Sequence, residues 1–103
     1  MKTAKVFVDG VLAGELQEIE QGQKYQFIYL DGYQGSSVSL EMPTTRLRYE
    51  YDQFPPFFEG LLPEGVLLEG LLRQAKLDRS DLMGQLLTVG QDMVGNVTVK
   101  ASE

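Results

Sequence analysis

Along residues 1–53 apolar positions alternate with polar ones, the period-two pattern of half-buried strands. Val6 and Val8 alternate with Lys5, Phe7 and Asp9. Asp9-Gly10 follows, a two-residue signal for a tight hairpin, because glycine accepts positive φ without steric cost. The chain then returns through residues 11–16. The run KYQFIYL, residues 24–30, sets Tyr25, Phe27 and Tyr29 on one face and Gln26, Ile28 and Leu30 on the other. Asp31-Gly32 turns the chain again. Val38, Leu40 and Met42 alternate with Ser37, Ser39 and Glu41, which predicts another strand, ending at Pro43. In residues 44–53 Leu47, Tyr49 and Tyr51 alternate too, a pattern that fits either a strand or a loop.

Pro55-Pro56 breaks the composition, and the apolar period then changes to that of helices. Pro56 suits a first helical turn, where its missing N–H has no partner to lose. Phe57, Phe58, Leu61 and Leu62 share one face, and Pro63 ends that short helix by pushing Leu62 out of the α region. Leu67, Leu68, Leu71, Leu72 and Ala75 form the stripe of a second helix, expected in the core with Phe57, Phe58 and Leu61. Asp78 is the expected N-cap of a third, with Leu82, Met83, Leu86 and Leu87 inward and Gly90 just past its end. Val97 and Val99 supply a closing strand. The expectation is one α+β domain over residues 1–103. Its sheet, open or barrel-like, is antiparallel and comes from the N-terminal half plus the C-terminal strand, packed with two or three short helices within 57–89.

Composition narrows the function. Nine basic residues face fifteen acidic ones, a net charge of −6. Binding to DNA or RNA rests on lysine and arginine displacing counterions, so nucleic acid is excluded as the direct ligand. With no cysteine and no histidine, disulfides and the usual zinc sites are excluded. No window carries the ~18 apolar residues of a membrane span, and the N-terminus lacks a signal-peptide core. The expected setting is the cytoplasm, away from any membrane.

Candidate chemistry is sparse. GQDMVGNV, residues 90–97, spaces two glycines like the start of a phosphate loop. That loop needs Lys and Ser or Thr after its second glycine, whereas Asn96 and Val97 stand here and Asp92 would repel phosphate. Glu59, Glu64 and Glu69 lie five apart and do not align on a straight helix. Ser36 and Ser37 lack a histidine base. The residues therefore point to a protein that is not an enzyme and needs no cofactor. Two surfaces remain. Tyr25, Phe27 and Tyr29 form either the inner face of a strand or a stacking platform for a small ligand. Leu62, Pro63, Glu64, Gly65 and Val66 form a rigid corner with an apolar side chain beside a charge, a common kind of binding tip.

The same residues carry a family likeness. FFEGLLPEG with its leucine-rich helix, followed by DLMGQLLTVGQDMVGNVTV, resembles the N-terminal subdomain of HipA-type serine/threonine kinase toxins. The opening hairpin, with Asp9-Gly10 and Gly14-Glu15-Leu16, is similar to that family's start. A HipA toxin continues into a kinase with catalytic and magnesium-binding aspartates, whereas this sequence ends at Glu103. It therefore resembles the detached subdomain of tripartite HipBST systems. There HipS stands alone, HipT is a kinase lacking the subdomain, and HipB binds DNA. The resemblance implies an antitoxin that binds and inhibits a HipT-like serine/threonine kinase, and meets a HipB-like DNA-binding protein through the complex. The alternatives are a subunit that supports the kinase without inhibiting it, or an unrelated small ligand-binding module with the Tyr25, Phe27 and Tyr29 face as its platform. The family's Gly-x-Asp-x-x-Gly motif falls on Gly90, Asp92 and Gly95, where the resemblance implies a structural role.

Overall fold

The computed structural model describes residues 2–91 and 95–102. Strands β1 (Thr3–Val8) and β2 (Val11–Glu20) form the opening hairpin. Asp9 and Gly10 both take left-handed φ, 51° and 81°, the pair that matches the right-handed twist of the strands. Val6 lies opposite Gly14 but Phe7 opposite Leu12, so Ala13 is the extra residue of a β-bulge. The bulge lets the consecutive Ala13 and Gly14 both be buried. Gly14 must be glycine for a packing reason. A Cβ there would lie 2.8 Å from the Phe27 ring and 3.0 Å from the Tyr29 Cα.

Strand β3 (Lys24–Tyr29) pairs with β2, and β4 (Arg48–Tyr51) pairs with β3 at one edge. Strand β5 (Val97–Ala101) pairs with β1 at the other edge. The order is β4-β3-β2-β1-β5, all antiparallel, so the sheet is open rather than a barrel. The fold is α+β. Residues 48–51, which fit strand or loop by sequence, are strand.

One face of the sheet holds the core. Val6, Leu16, Phe27 and Val99 are fully buried there against Phe58 of α1 (Pro56–Glu59) and Met83 and Leu86 of α3 (Leu82–Val89). Burying each side chain of this size contributes about 1.5–3 kcal/mol. Phe27 is the hub, 4.9 Å from the Tyr29 ring edge-to-face and 6.1 Å from Phe58. Tyr25, Phe27 and Tyr29 are at most 2% exposed, so this aromatic face is core and cannot serve as a stacking platform.

Residues 38–42 correct the sequence expectation of a strand. Val38 and Met42 are buried, yet Leu40 is 97% exposed on a tight turn closed by a Ser39–Met42 bridge. Tyr29 imposes this turn from below. Its hydroxyl accepts from the Val38 N–H at 2.9 Å and donates to the Met42 carbonyl.

The third helix also starts later than expected. Its N-cap is Asp81, not Asp78, and the Asp81 carboxylate accepts from the Gly84 N–H at 2.9 Å while pairing with Lys2 at 3.0 Å. The Asp78 carbonyl instead accepts from Asp81 N–H and from the buried Gln85 side chain, which also reaches the Arg79 carbonyl. Gly90 follows α3 in right-handed conformation. The Val99 N–H donates outward from the sheet edge to the Gly90 carbonyl at 2.9 Å.

Candidate functional site

After its single turn, α1 continues as loose turns in which Leu61 N–H and Leu62 N–H donate to the Phe58 and Glu59 carbonyls. Leu62 faces the core at 9% exposure and anchors the corner. Pro63 is half-buried, and Glu64 is extended at φ −130°, ψ 165°. Gly65 then takes φ +60° to start α2 (Gly65–Ala75). No heavy atom lies within 4 Å of where a Gly65 Cβ would stand, so backbone conformation, not crowding, favours glycine. The exposed part of the corner is thus Glu64, Gly65 and Val66, on a base of Leu62 and Pro63.

Helix α2 overturns the expectation that its leucines are core. None of its residues is buried. Val66 is 87% and Leu67 76% exposed, while Leu68, Leu71, Leu72 and Ala75 are half-buried on the side toward the domain. The physical reason is coverage. Helices α1 and α3 and the 30–47 segment already cover the aromatic face of the sheet, and α2 leans on α3 at the margin. The helix ends at Lys76, which takes φ 56° while the Leu77 N–H donates to the Leu72 carbonyl at 3.1 Å. Glu59 and Glu64 are exposed beside the corner, and Glu69 pairs with Arg79.

The glycine motif lies elsewhere, at the junction of α3 and β5. A Cβ on Gly90 would sit 2.8 Å from Val99 Cβ, 2.9 Å from the Leu86 carbonyl oxygen, and closer still to the Val99 carbonyl oxygen. Gly95 takes φ +109° with open space around it. Asp92 lies outside the described residues.

A second surface is formed by β4 and α1. Met42, Tyr49, Tyr51, Pro56 and Phe57 line a cleft of about 370 Å³ between β4 and α1, with Glu41 and Arg46 at its rim. Tyr49 is fixed by donating to the Pro43 carbonyl at 2.7 Å. Burial pushes the Tyr51 phenol above its ordinary value, with Tyr49 and Glu41 adding to the effect and Arg46 opposing it. On the inner face, Tyr25 is pushed up to about 12 by burial and by its 3.1 Å hydrogen bond to the buried Glu18. Among the described residues no group of three acidic side chains could hold a metal ion. No described helix is long and apolar enough to cross a membrane.

Residues 4–100 match the HipA N-terminal domain family. The chain belongs to that family. A solved structure described as the N-terminal domain of HipA toxin superposes with a TM-score of 0.78 at 30% identity, covering 100% of this chain and 94% of that one. A Haemophilus influenzae protein named only as uncharacterized is 33% identical over 100 residues, covering 97% of this chain and 92% of its own length. Membership of the HipA N-terminal domain family ties the chain to toxin–antitoxin systems. The corner and α2 lie inside the matched span, as do Gly90 and Gly95.

Sequence reasoning located the corner but missed the exposure of α2. Gly65 and Gly70 were the available signal, since glycine inside a helix of otherwise strong formers weakens it and gives no core contact. The rim of the cleft was missed altogether, because Glu41, Arg46 and Phe57 are joined only by tertiary structure.

Proposed function

We propose that this protein is a non-enzymatic antitoxin that binds and inhibits a HipT-like serine/threonine kinase, meeting a HipB-like DNA-binding protein only through that complex. The exposure of α2 is the observation that carries the reading. An amphipathic helix with Val66 and Leu67 in solvent and no fully buried residue is half an interface. Its leading corner is stiffened by Pro63 and anchored by Leu62, so little conformational freedom is lost on docking. Glu64 supplies a charge for basic groups lining a phosphate site, and Val66 an apolar contact. A standard interface takes ~800 Å² from each partner. That is about an eighth of the 6536 Å² surface of this chain.

The test is autophosphorylation of the cognate kinase against increasing concentrations of this protein. Glu64→Lys with Val66→Asp should keep the fold, since both side chains are exposed. It should weaken inhibition tenfold or more, as a lost anchor costs ~2 kcal/mol. A folded double variant that inhibits at the original concentration removes the corner from the contact. Wild-type protein that binds the kinase and leaves its activity intact is instead a supporting subunit.

A further inference from the structure

We infer that the cleft between β4 and α1 is a receptor for an arginine side chain presented by a partner protein. This goes beyond the proposed kinase contact and does not depend on it. Three aromatic side chains, Tyr49, Tyr51 and Phe57, line the cleft and remain partly exposed. They are held from behind. Tyr49 is tied to the Pro43 carbonyl, Tyr51 lies on β4 opposite Tyr25, and Phe57 packs edge-to-face on Phe58 at 5.2 Å and 79°. Rings fixed in this way offer a pre-organised surface to a cation, which their faces attract.

The chain already shows that a guanidinium fits. The Arg46 side chain sits over the Tyr49 ring, its Cζ 5.2 Å from the centroid. Among the described residues the salt bridges are Lys2–Asp81 and Arg79–Glu69, so Arg46 stacks without a carboxylate within ion-pair reach. Its position is therefore set by the ring rather than by a salt bridge. The Glu41 carboxylate borders the same cleft and acts on Tyr51 through space. Glu41 is in no ion pair among the described residues, so a guanidinium that stacks on the rings also finds a carboxylate to pair with. Arginine is favoured over lysine because its flat, weakly hydrated guanidinium stacks on aromatic faces and pairs side-on with carboxylates. Arg46 is then a placeholder, covering Tyr49 until a partner's arginine displaces it or stacks beside it.

The decisive experiment uses this protein alone and follows ring resonances of Tyr49, Tyr51 and Phe57 by NMR. The probes are N-acetyl-arginine methylamide and its uncharged isostere, N-acetyl-citrulline methylamide. The arginine probe should shift these rings saturably at millimolar concentration and the citrulline probe should not. Arg46→Ala, at an exposed position, should tighten the arginine probe about threefold or more by vacating the ring, and Glu41→Gln should loosen it about threefold, the factors expected for contacts of this kind at exposed sites. Absence of saturable shifts in both wild type and Arg46→Ala overturns the inference, as does equal binding of citrulline. Because no kinase is present, failure here leaves the α2 contact standing, and loss of inhibition by the corner variant leaves this cleft standing.

Discussion

Replacing Gly90 with alanine tests whether the α3–β5 junction depends on close approach. The new methyl would stand 2.8 Å from Val99 Cβ and 2.9 Å from the Leu86 carbonyl oxygen, so strand or helix must move. Movement lengthens the 2.9 Å bond from Val99 N–H to the Gly90 carbonyl. Overpacking of this kind costs about 1–3 kcal/mol, and a weakened hydrogen bond adds about 1. A loss of about 2–4 kcal/mol is a large share of the roughly 5–15 kcal/mol of a native domain. It should lower Tm by about 10–20 °C. Gly70→Ala provides the opposite sign. Gly70 lies within α2 with nothing inside 4 Å of its missing Cβ, so alanine should stabilise by about 0.5–1 kcal/mol through helix propensity. Urea unfolding of both variants, followed by circular dichroism, gives the two values on one scale. A Gly90→Ala protein within about 0.5 kcal/mol of its parent, the usual scatter of surface changes, would refute the close-packing account.

Other expectations rest on local geometry. Lys76 holds a left-handed conformation at the end of α2, so Lys76→Gly should raise stability by roughly 0.5–1 kcal/mol, read as a higher urea midpoint. Gly65→Ala should lower it by about 1 kcal/mol, because alanine resists φ +60°; an unchanged midpoint would mean the corner relaxes freely. Asp81→Ala removes the cap on the Gly84 N–H and the pair with Lys2, at a cost of about 1–2 kcal/mol measured in the same way. Alkaline pH should destabilise the fold through Tyr25. Its proton is held to about 12 in the folded protein but released near 10 when unfolded, so stability is intact below pH 10 and falls as pH rises toward 12. Tyr25→Phe should flatten that decline in urea midpoints; an equal decline in the variant assigns it to other groups.

The hairpin, β3 and the switch to helices at Pro55-Pro56 were legible because each has a local cause: Asp9-Gly10 chemistry, strict alternation, and proline. The errors arose where tertiary contacts decide. Val38, Leu40 and Met42 alternate as a strand would, but the Tyr29 hydroxyl pulls both ends of that segment onto one point and leaves Leu40 at the apex of a turn. Asp78 and Asp81 are equally good caps on paper. The choice between them is made by Gln85, whose buried amide needs the Asp78 and Arg79 carbonyls. Periodicity placed the α2 stripe correctly on one side of a helix. It could not say that the sheet face was already filled, which is why the site was half legible: the corner could be named, the bare helix behind it could not.

The bond from Val99 N–H to the Gly90 carbonyl has a further effect on how these molecules behave in a crowd. An open sheet has two rims, and an unoccupied donor on a rim invites another chain to extend the sheet, the first step toward aggregates. Here the Val99 donor on β5 is already taken by the end of α3. The opposite rim, β4, is only four residues long and carries Arg48 and Glu50 on its outer face. The Gly90 carbonyl thus occupies a rim donor that would otherwise be open to a second chain.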